Sequence, residues 1–522
     1  MPLLDYNAFG GMEGKTKQKV LREWRMAEYA KNTRLWDGSL RAYRTPKVVG
    51  SCAAPFELDQ CFAPVCVNSC AAYGRSPCGA RALYTLTDGR LAENGRVVGL
   101  NRPTEAPQAT LVSGAGEDGV VFRVLCVNAA GEYSAPSAAS SVVSAAYGSV
   151  ITLSWAGCSA YRVEALITQS MTYQKEIGKD PSQWVVVGEY AAPKATIVFK
   201  PDTWELVDDG YDPTAYCDPP ILDCFTITEA GFFVGWSGSL LFVSERHEPS
   251  KFPRSAMKNL HADILNVVTA AEALYVATAE GMFVVQLSPD KDGATVTINR
   301  TYENALPIKD TLALVNSGAL YASRFGLFIV DGRSLTPTNA VSRLLPEEEF
   351  ERDWLPSYGM VQRGVFYGST ADKRSWHIDF PSTAGDASEF GKLVLLDYLG
   401  ENMLAGRDGV LYYSVGGKVS AFDRGATYLA ATWRSNKFLA PARASFSRFK
   451  VIGNNLEGVT LTVIVDDIAV FTTTVEDGKI CTLPRCVVGL EFAVEINIPA
   501  GSEEVIINRV QLASSHSELA RV

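Results

Sequence analysis

The sequence predicts a mainly β protein: a β-propeller-like body, an inserted β-sandwich, a C-terminal β-sandwich and one N-terminal helix. Three observations lead there. Short hydrophobic strands around Gly turns recur at near-constant intervals through the middle of the chain. Alternating strands with frequent turn residues fill the regions before and after that array. Only residues 13–31 carry helical periodicity over any length.

Composition sets the frame. The chain has 522 residues, enough for about three to five compact units. Its 43 Gly and 25 Pro are scattered singly among hydrophobic runs, which excludes a collagen-like or disordered chain. The net charge of −10 excludes a protein that wraps nucleic acid over its whole surface. No apolar run approaches the ~20 residues of a membrane span, and the opening MPLLDYNAFGGMEGK lacks a signal peptide's charged and apolar regions. A soluble chain without a membrane span, not exported by that route, is expected. The charge is unevenly spread: residues 1–50 hold ten Lys/Arg and five Asp/Glu, a net of +5, which leaves −15 on the other 472. A basic arm, residues 1–48, precedes an acidic body.

The arm contains EGKTKQKVLREWRMAEYAK (13–31), with no Pro, no Gly after Gly14 and many strong helix formers. Val20, Trp24, Ala27 and Lys31 fall on one stripe at helical spacing, with basic residues around it. Such an arm docks on a neighbour or on its own body.

A Cys-rich β segment, 49–102, follows and is a candidate to complete the propeller. Eleven cysteines cannot all pair within one chain. Cys52, Cys61, Cys66, Cys70 and Cys78 lie close together, but their x8, x4, x3 and x7 spacings contain no C-x2-C knuckle and no nearby His. That weighs against zinc. Reduced, partly buried thiols are the default without a secretion signal. Disulfides in the cluster are the other reading, with Cys217/Cys224 and Cys481/Cys486 as candidate local pairs.

Residues 103–204 read as one β-sandwich, with strands at 120–128, 149–155, 160–166, 183–190 and 195–200. Val127–Ser137, reading VNAAGEYSAPS, resembles the fibronectin type III signature in which a strand ends at "N-x-x-G-x-S-x-P-S". Short strands with frequent turns over about 100 residues suit that fold.

Residues 205–428 hold the repeats: LLFVSE (240–245), LYVATAEGMFVV (274–285), LYASRFGLFIVDG (320–332), VFYGS (365–369) and LYYSVGGKVSAFD (411–423). Leu274, Leu320, Phe366 and Leu411 are separated by 46, 46 and 45 residues, whereas Leu241 precedes Leu274 by 33. Intervals of about 45 residues mark propeller blades, each a sheet that buries its faces only against copies of itself. From 429 to 522 the period is lost, and LTVIVDDIAVFTTTVEDG (461–478) and the strands of 490–513 predict the terminal sandwich.

Catalytic motifs are lacking. The sequence holds no G-x-G-x-x-G, Walker A loop, H-E-x-x-H or G-x-S-x-G. His247, His261, His377 and His516 are far apart in sequence. The Ser244–Pro249 cluster offers carboxylates for acid/base work, but reads more simply as a salt-bridged loop at a strand end. Glu347–Glu351 reads as a solvated loop or helix start. No catalytic, cofactor or metal residue is assigned, and the chain is read as a non-enzyme without cofactors.

Several segments, in order, resemble one family, the tail nozzle or tail hub proteins of short-tailed bacteriophages, also called packaged-DNA stabilisation proteins. Phe9-Gly10-Gly11 and Ala30–Pro46, with Arg34, Trp36 and Arg41, look like the family's opening. Gly231–Gly235 and Leu241–Pro253, with Ser244, Glu245, Pro249, Phe252 and Pro253, resemble its central strand and loop, although Phe252 stands where the family usually has Trp. Ile264–Val268, Leu274–Thr278, Leu320–Val330, Glu349–Trp354 and Trp433–Phe438 continue the likeness. The Cys-rich stretch 52–78 has no counterpart there.

The resemblance implies a structural virion protein of the phage tail, assembled in the host cytoplasm. It implies a homo-oligomeric ring, typically a hexamer, below the portal and adaptor rings, whose lumen passes double-stranded DNA; tail fibres or spikes are candidate further partners. An acidic lumen would repel phosphate and let DNA slide. The basic arm, through Arg22, Trp24, Arg25, Arg34, Trp36 and Arg41, is expected to dock on an adjacent subunit or the adaptor. The competing readings are a propeller-type glycan-binding protein or glycosidase, and an extracellular adhesion protein.

Overall fold

The computed structural model describes all residues except 1–2, 10, 13–25, 36–37, 53–54, 60, 68–69, 76–79, 130, 157–159, 170–182, 208–214, 271–272, 291–292, 302–304, 316–317, 333–334, 343, 380–391, 401, 486 and 521–522. The chain forms two compact units. One comprises 1–68, 265–285 and 298–522, and the other 69–264 with 286–297.

The fold is mainly β and propeller-like, with five four-stranded antiparallel sheets and a sixth set of four antiparallel strands that forms part of a ten-stranded sheet, shared out between the two units. Sheet I is Ala71–Arg75, Arg81–Thr87, Arg90–Glu93 and Arg96–Val97; sheet II is Cys224–Ile227, Phe232–Ser237, Leu240–Arg246 and Lys258–Asn259. Sheet III is Ile264–Thr269, Ala273–Thr278, Gly281–Asp290 and Gly293–Arg300; sheet IV is Ala313–Val315, Gly318–Ser323, Gly326–Asp331 and Thr338–Asn339. Sheet V is Pro356–Gln362, Val365–Thr370, Ser375–Asp379 and Val394–Leu396. Sheet VI is Asn402–Ala405, Leu411–Val415 and Lys418–Ala421, closed by Lys47–Ser51 from the other end of the chain.

The sequence period maps onto these sheets. Leu274, Leu320, Phe366 and Leu411 are buried residues on the second strands of sheets III to VI. The short 33-residue step has a simple cause: Leu241 lies on the third strand of sheet II, whose second strand carries Phe233. Neighbouring sheets bury apolar faces on each other, as blade-like units must. Tyr84 and Leu91 of sheet I pack with Phe225, Phe233 and Phe242 of sheet II. Tyr275 and Val284 of sheet III pack with Tyr321 and Phe328 of sheet IV. Tyr367 of sheet V packs with Leu411, Tyr413 and Phe422 at sheet VI.

The expected sandwich of residues 103–204 is one six-stranded sheet around one core. Its long strands Gln108–Cys126 and Val143–Ser154 pair through register shifts at Leu111/Ser113, Ser113/Ala115 and Ala115/Asp118. Bulges of this kind bend strands, and residues from both halves, such as Phe122, Tyr161, Ile151 and Ile197, share the core. The Val127–Ser137 motif has a mechanical role. Ser134, Ser137 and Ser140 accept from the N–H groups of Cys126, Val124 and Phe122 at 2.9, 3.1 and 3.0 Å through their hydroxyls. Their own N–H groups donate back to the carbonyls of the same three residues. A serine every third residue therefore seals a strand edge that Pro136 could not pair by itself.

The C-terminal sandwich has strands Ala431–Ser435, Phe438–Ser445, Arg448–Asn454, Thr460–Val465, Ile468–Thr474, Ile480–Thr482, Val488–Ile498 and Ile506–Ala513, sorted into two sheets over one core. Asp466 and Asp467, both at positive φ, make the two-residue turn that the DD pair suggests. The N-terminal segment is woven through this module. Leu4–Tyr6 and Leu40–Ala42 pair with Ile506–Ala513. Ala27–Lys31 lies between Ala431–Ser435 and Val394–Leu396, which makes sheet V continuous with the sandwich.

The helix expected over 13–31 does not extend through its last residues. Residues 13–25 lie outside the described residues, and Ala27–Lys31 is a strand. Val20 and Trp24 of the proposed stripe are likewise outside, while Ala27 is fully buried between strands. Among the described residues the α-helical segments are Glu347–Glu349 and His516–Ala520. The first realises the helix start expected at Glu347–Glu351, but Glu349 is buried, so this acidic run is not wholly solvated.

Candidate functional site

The arm residues fall into two groups. Arg22, Trp24, Arg25 and Trp36 lie outside the described residues. Arg34 and Arg41 face the chain's own C-terminal sheet. Arg34 pairs with Glu504 through Nη2 and stands 3.6 Å from Asp423 through Nη1. Arg41 reaches Glu504 at 3.5 Å and donates to the Ser39 hydroxyl at 2.8 Å. Lys31 pairs with Asp397 at 3.0 Å. Two arginines on one carboxylate fasten the Thr33–Ala42 hairpin to the body, at half-exposed sites where each pair contributes about 1 kcal/mol or less.

The loop of the central motif is held from inside. Ser244 is fully buried; its hydroxyl accepts from the Phe233 N–H at 2.9 Å and donates to the Glu245 carbonyl at 2.6 Å. Glu245 accepts from the Tyr216 hydroxyl, and its N–H donates to the Lys251 carbonyl at 2.8 Å. Pro249 is buried, and Phe252 is buried edge-on to Phe242. Pro253 precedes the short turn Arg254–Ala256. His247 takes φ 63° and lies against Gly231, where an added Cβ would sit 2.1 Å from the imidazole. These groups shape a loop, and Lys251 reaches Glu248 at 3.9 Å, as a salt-bridged strand end would.

The cysteines correct two expectations. Cys52 is bonded to Cys66 and Cys70 to Cys224, so reduced thiols and a Cys217/Cys224 pair are both overturned. Cys126 is also disulfide-bonded. Cys61, Cys217 and Cys481 are free thiols, and Cys78 and Cys486 lie outside the described residues. Cys70–Cys224 ties sheet I to sheet II across the insertion that separates them, and with three of the five clustered sulfurs bonded, the cluster cannot supply a tetrathiolate zinc site.

One histidine has company that its sequence spacing hides. His377, on the third strand of sheet V, is 1% exposed. Its Nε2 lies 3.0 Å from the Tyr43 hydroxyl and its Nδ1 3.4 Å from Asp379 Oδ1. Burial, reinforced by Tyr367, Asp379 and Asp423, holds the Tyr43 phenol well above its usual range, so it stays neutral. Beside this chain, at the ends of sheets V and VI, opens a cavity of about 600 Å³ whose wall includes Arg363, Tyr367, Asp379, Asp423 and Arg424. Tyr367, Asp379 and Asp423 carry no motif and meet at the cavity wall, and Tyr43 joins them through His377. His261 and His516 are exposed and lie elsewhere.

The sequence matches no family of known proteins, and no curated protein resembles it significantly. Among solved structures, the chain is similar to a catalytically inactive virginiamycin B lyase from Staphylococcus aureus with quinupristin (8% identity, 75% of this chain and 100% of that one, TM-score 0.27). It is similar to the AfRom2 CNH domain (11% identity, 60% and 97%, TM-score 0.25) and to Hsv2 of Kluyvelomyces marxianus (7%, 56% and 71%, TM-score 0.24). At these scores the likenesses carry no argument about activity or partners.

Proposed function

We propose that this chain is a structural virion protein of a short-tailed bacteriophage, a nozzle or hub subunit that assembles into a ring and continues the DNA channel of the tail. One observation carries the reading. Segments that resemble that family at opposite ends of the sequence meet in one core. Phe9 of the opening motif packs edge-on to Trp433 of the C-terminal motif at 5.0 Å, and Ala27–Lys31 pairs with Ala431–Ser435. Scattered weak likenesses that fall on one joined surface support a common origin better than the same likenesses spread over unrelated sites.

The acidic balance of the body fits a wall that DNA slides past, because phosphate contacts would add drag. Since Arg34 and Arg41 are engaged within the chain, docking on the adaptor or portal ring falls to Arg22 and Arg25. Deleting residues 1–45 would remove core strands and report only on folding. The sharper test is the double substitution Arg22→Glu and Arg25→Glu. The expected result is a folded protein with unchanged melting that no longer co-sediments with adaptor–portal complexes; full incorporation would contradict the arm's role.

A further inference from the structure

We infer that the cavity at the ends of sheets V and VI is a binding site for an acidic saccharide of one or two rings. This stands apart from the ring assembly, since it concerns what a single subunit binds. At about 600 Å³ the cavity falls within the roughly 300–1,000 Å³ of small-ligand sites. Its walls come from five separate segments: the Arg363–Gly364 turn with the strand that follows, the loop before Leu411, the end of Ser375–Asp379, Lys392, and the chain after Ala421.

The site is built. Arg363 takes φ 51°, and its guanidinium lies across Gly409, where any Cβ would sit 2.1 Å from Nη2. Nη2 donates to the Asp408 carbonyl at 3.1 Å and Gln362 Nε2 to the Gly406 carbonyl at 3.2 Å, so the turns of the two sheets are braced together. Asp423 is oriented by the Arg44 N–H at 2.6 Å. Tyr367 is 4% exposed and lines the cavity, yet its hydroxyl makes no hydrogen bond among the described residues. Its ring is buried while its hydroxyl is open to the cavity, where a ligand can meet it. Burial keeps that phenol protonated, so it serves as a neutral donor and acceptor.

These groups narrow the ligand. Arg363, Lys392 and Arg424 outnumber Asp379 and Asp423, which favours one acid group on the ligand, and guanidinium forks match carboxylate and phosphate oxygens. Two carboxylates and a phenol suit several hydroxyls, while Val365, Val410, Leu411 and Phe422 give the apolar wall on which a sugar face rests. A nucleic-acid strand would bring repeated phosphates against two carboxylates.

The test is saturation-transfer NMR and calorimetry on the full chain, with galacturonate, glucose 6-phosphate, maltose and inorganic phosphate. Binding of either acidic sugar, at least about tenfold tighter than maltose or inorganic phosphate, is expected, and the two arms identify the acid group. Tyr367→Phe, which removes one oxygen, and Arg424→Ala, at an exposed rim position, should each weaken it by about tenfold with unchanged melting. No binding by any probe, equal binding of maltose, inorganic phosphate as tight as the sugars, or binding untouched by both substitutions would overturn the assignment.

Discussion

Glu164 is fully buried on the inserted sandwich, between two arginines. Arg123 reaches it at 2.7 Å and Arg162 at 3.2 Å, and the Arg123 guanidinium also lies 3.9 Å above the Trp184 ring. Removing one partner of such a group strands the other charge in a dry interior. Glu164→Gln should therefore cost about 3–5 kcal/mol, read as an earlier denaturant midpoint of the insert's unfolding. An apolar replacement of Arg123 and Glu164 together should recover much of the loss; equal loss in the double variant would show that the charges were not the cause. Asp423 gives a pH signature. Burial raises its carboxyl above the ordinary value, more than Arg44 and Arg34 lower it. A raised carboxylate pKa makes the folded state most favoured below the unfolded value and less so as pH rises through the folded one. Asp423→Asn should flatten that decline in melting temperature between acid and neutral pH. An unchanged profile would assign the decline to other groups.

At the scale of elements, the serine ladder makes a clean case. Substituting Ser134, Ser137 and Ser140 by Ala leaves three strand N–H groups without their side-chain acceptors, at about 1–3 kcal/mol each if buried and unsatisfied. Faster amide exchange at Phe122, Val124 and Cys126 is the expected readout, with the C-terminal sandwich unaffected; unchanged exchange would mean that the backbone bonds alone seal the edge. The S-x-x-S-x-x-S spacing was there to be read, but a period of three belongs to neither helix nor strand. What sequence did reveal was local. Hairpins such as Thr460–Val465 with Ile468–Thr474 declare themselves by alternation and turn residues, and Leu320, Phe366 and Leu411 by their interval. Long-range pairing left no such trace. Lys47–Ser51 closes sheet VI against Lys418–Ala421, and Ala27–Lys31 ends a helix-like sequence yet is claimed by strands more than 360 residues away. Tertiary burial overrode propensity there. For the same reason Cys224 pairs with distant Cys70 and not with nearby Cys217, and His377 meets Tyr43 across the fold.

For the whole molecule, the two ends of the chain are not appendages. Leu4–Tyr6 and Leu40–Ala42 complete the C-terminal sandwich and Lys47–Ser51 the last blade-like sheet, so the larger unit cannot finish folding until these early strands meet the late ones. The charge asymmetry of the sequence takes a new form: part of the basic arm neutralises acidic residues such as Glu504 and Asp423 within the body, and the remaining positive charge is what a neighbouring subunit or ring would meet. The central claim, a ring-forming tail subunit, is tested most directly by cryo-electron microscopy of the purified chain mixed with its portal and adaptor proteins. The account predicts a closed ring, hexameric by the family likeness, below the adaptor, with an acidic lumen wide enough for duplex DNA. A chain that stays monomeric and apart from the portal complex would contradict it.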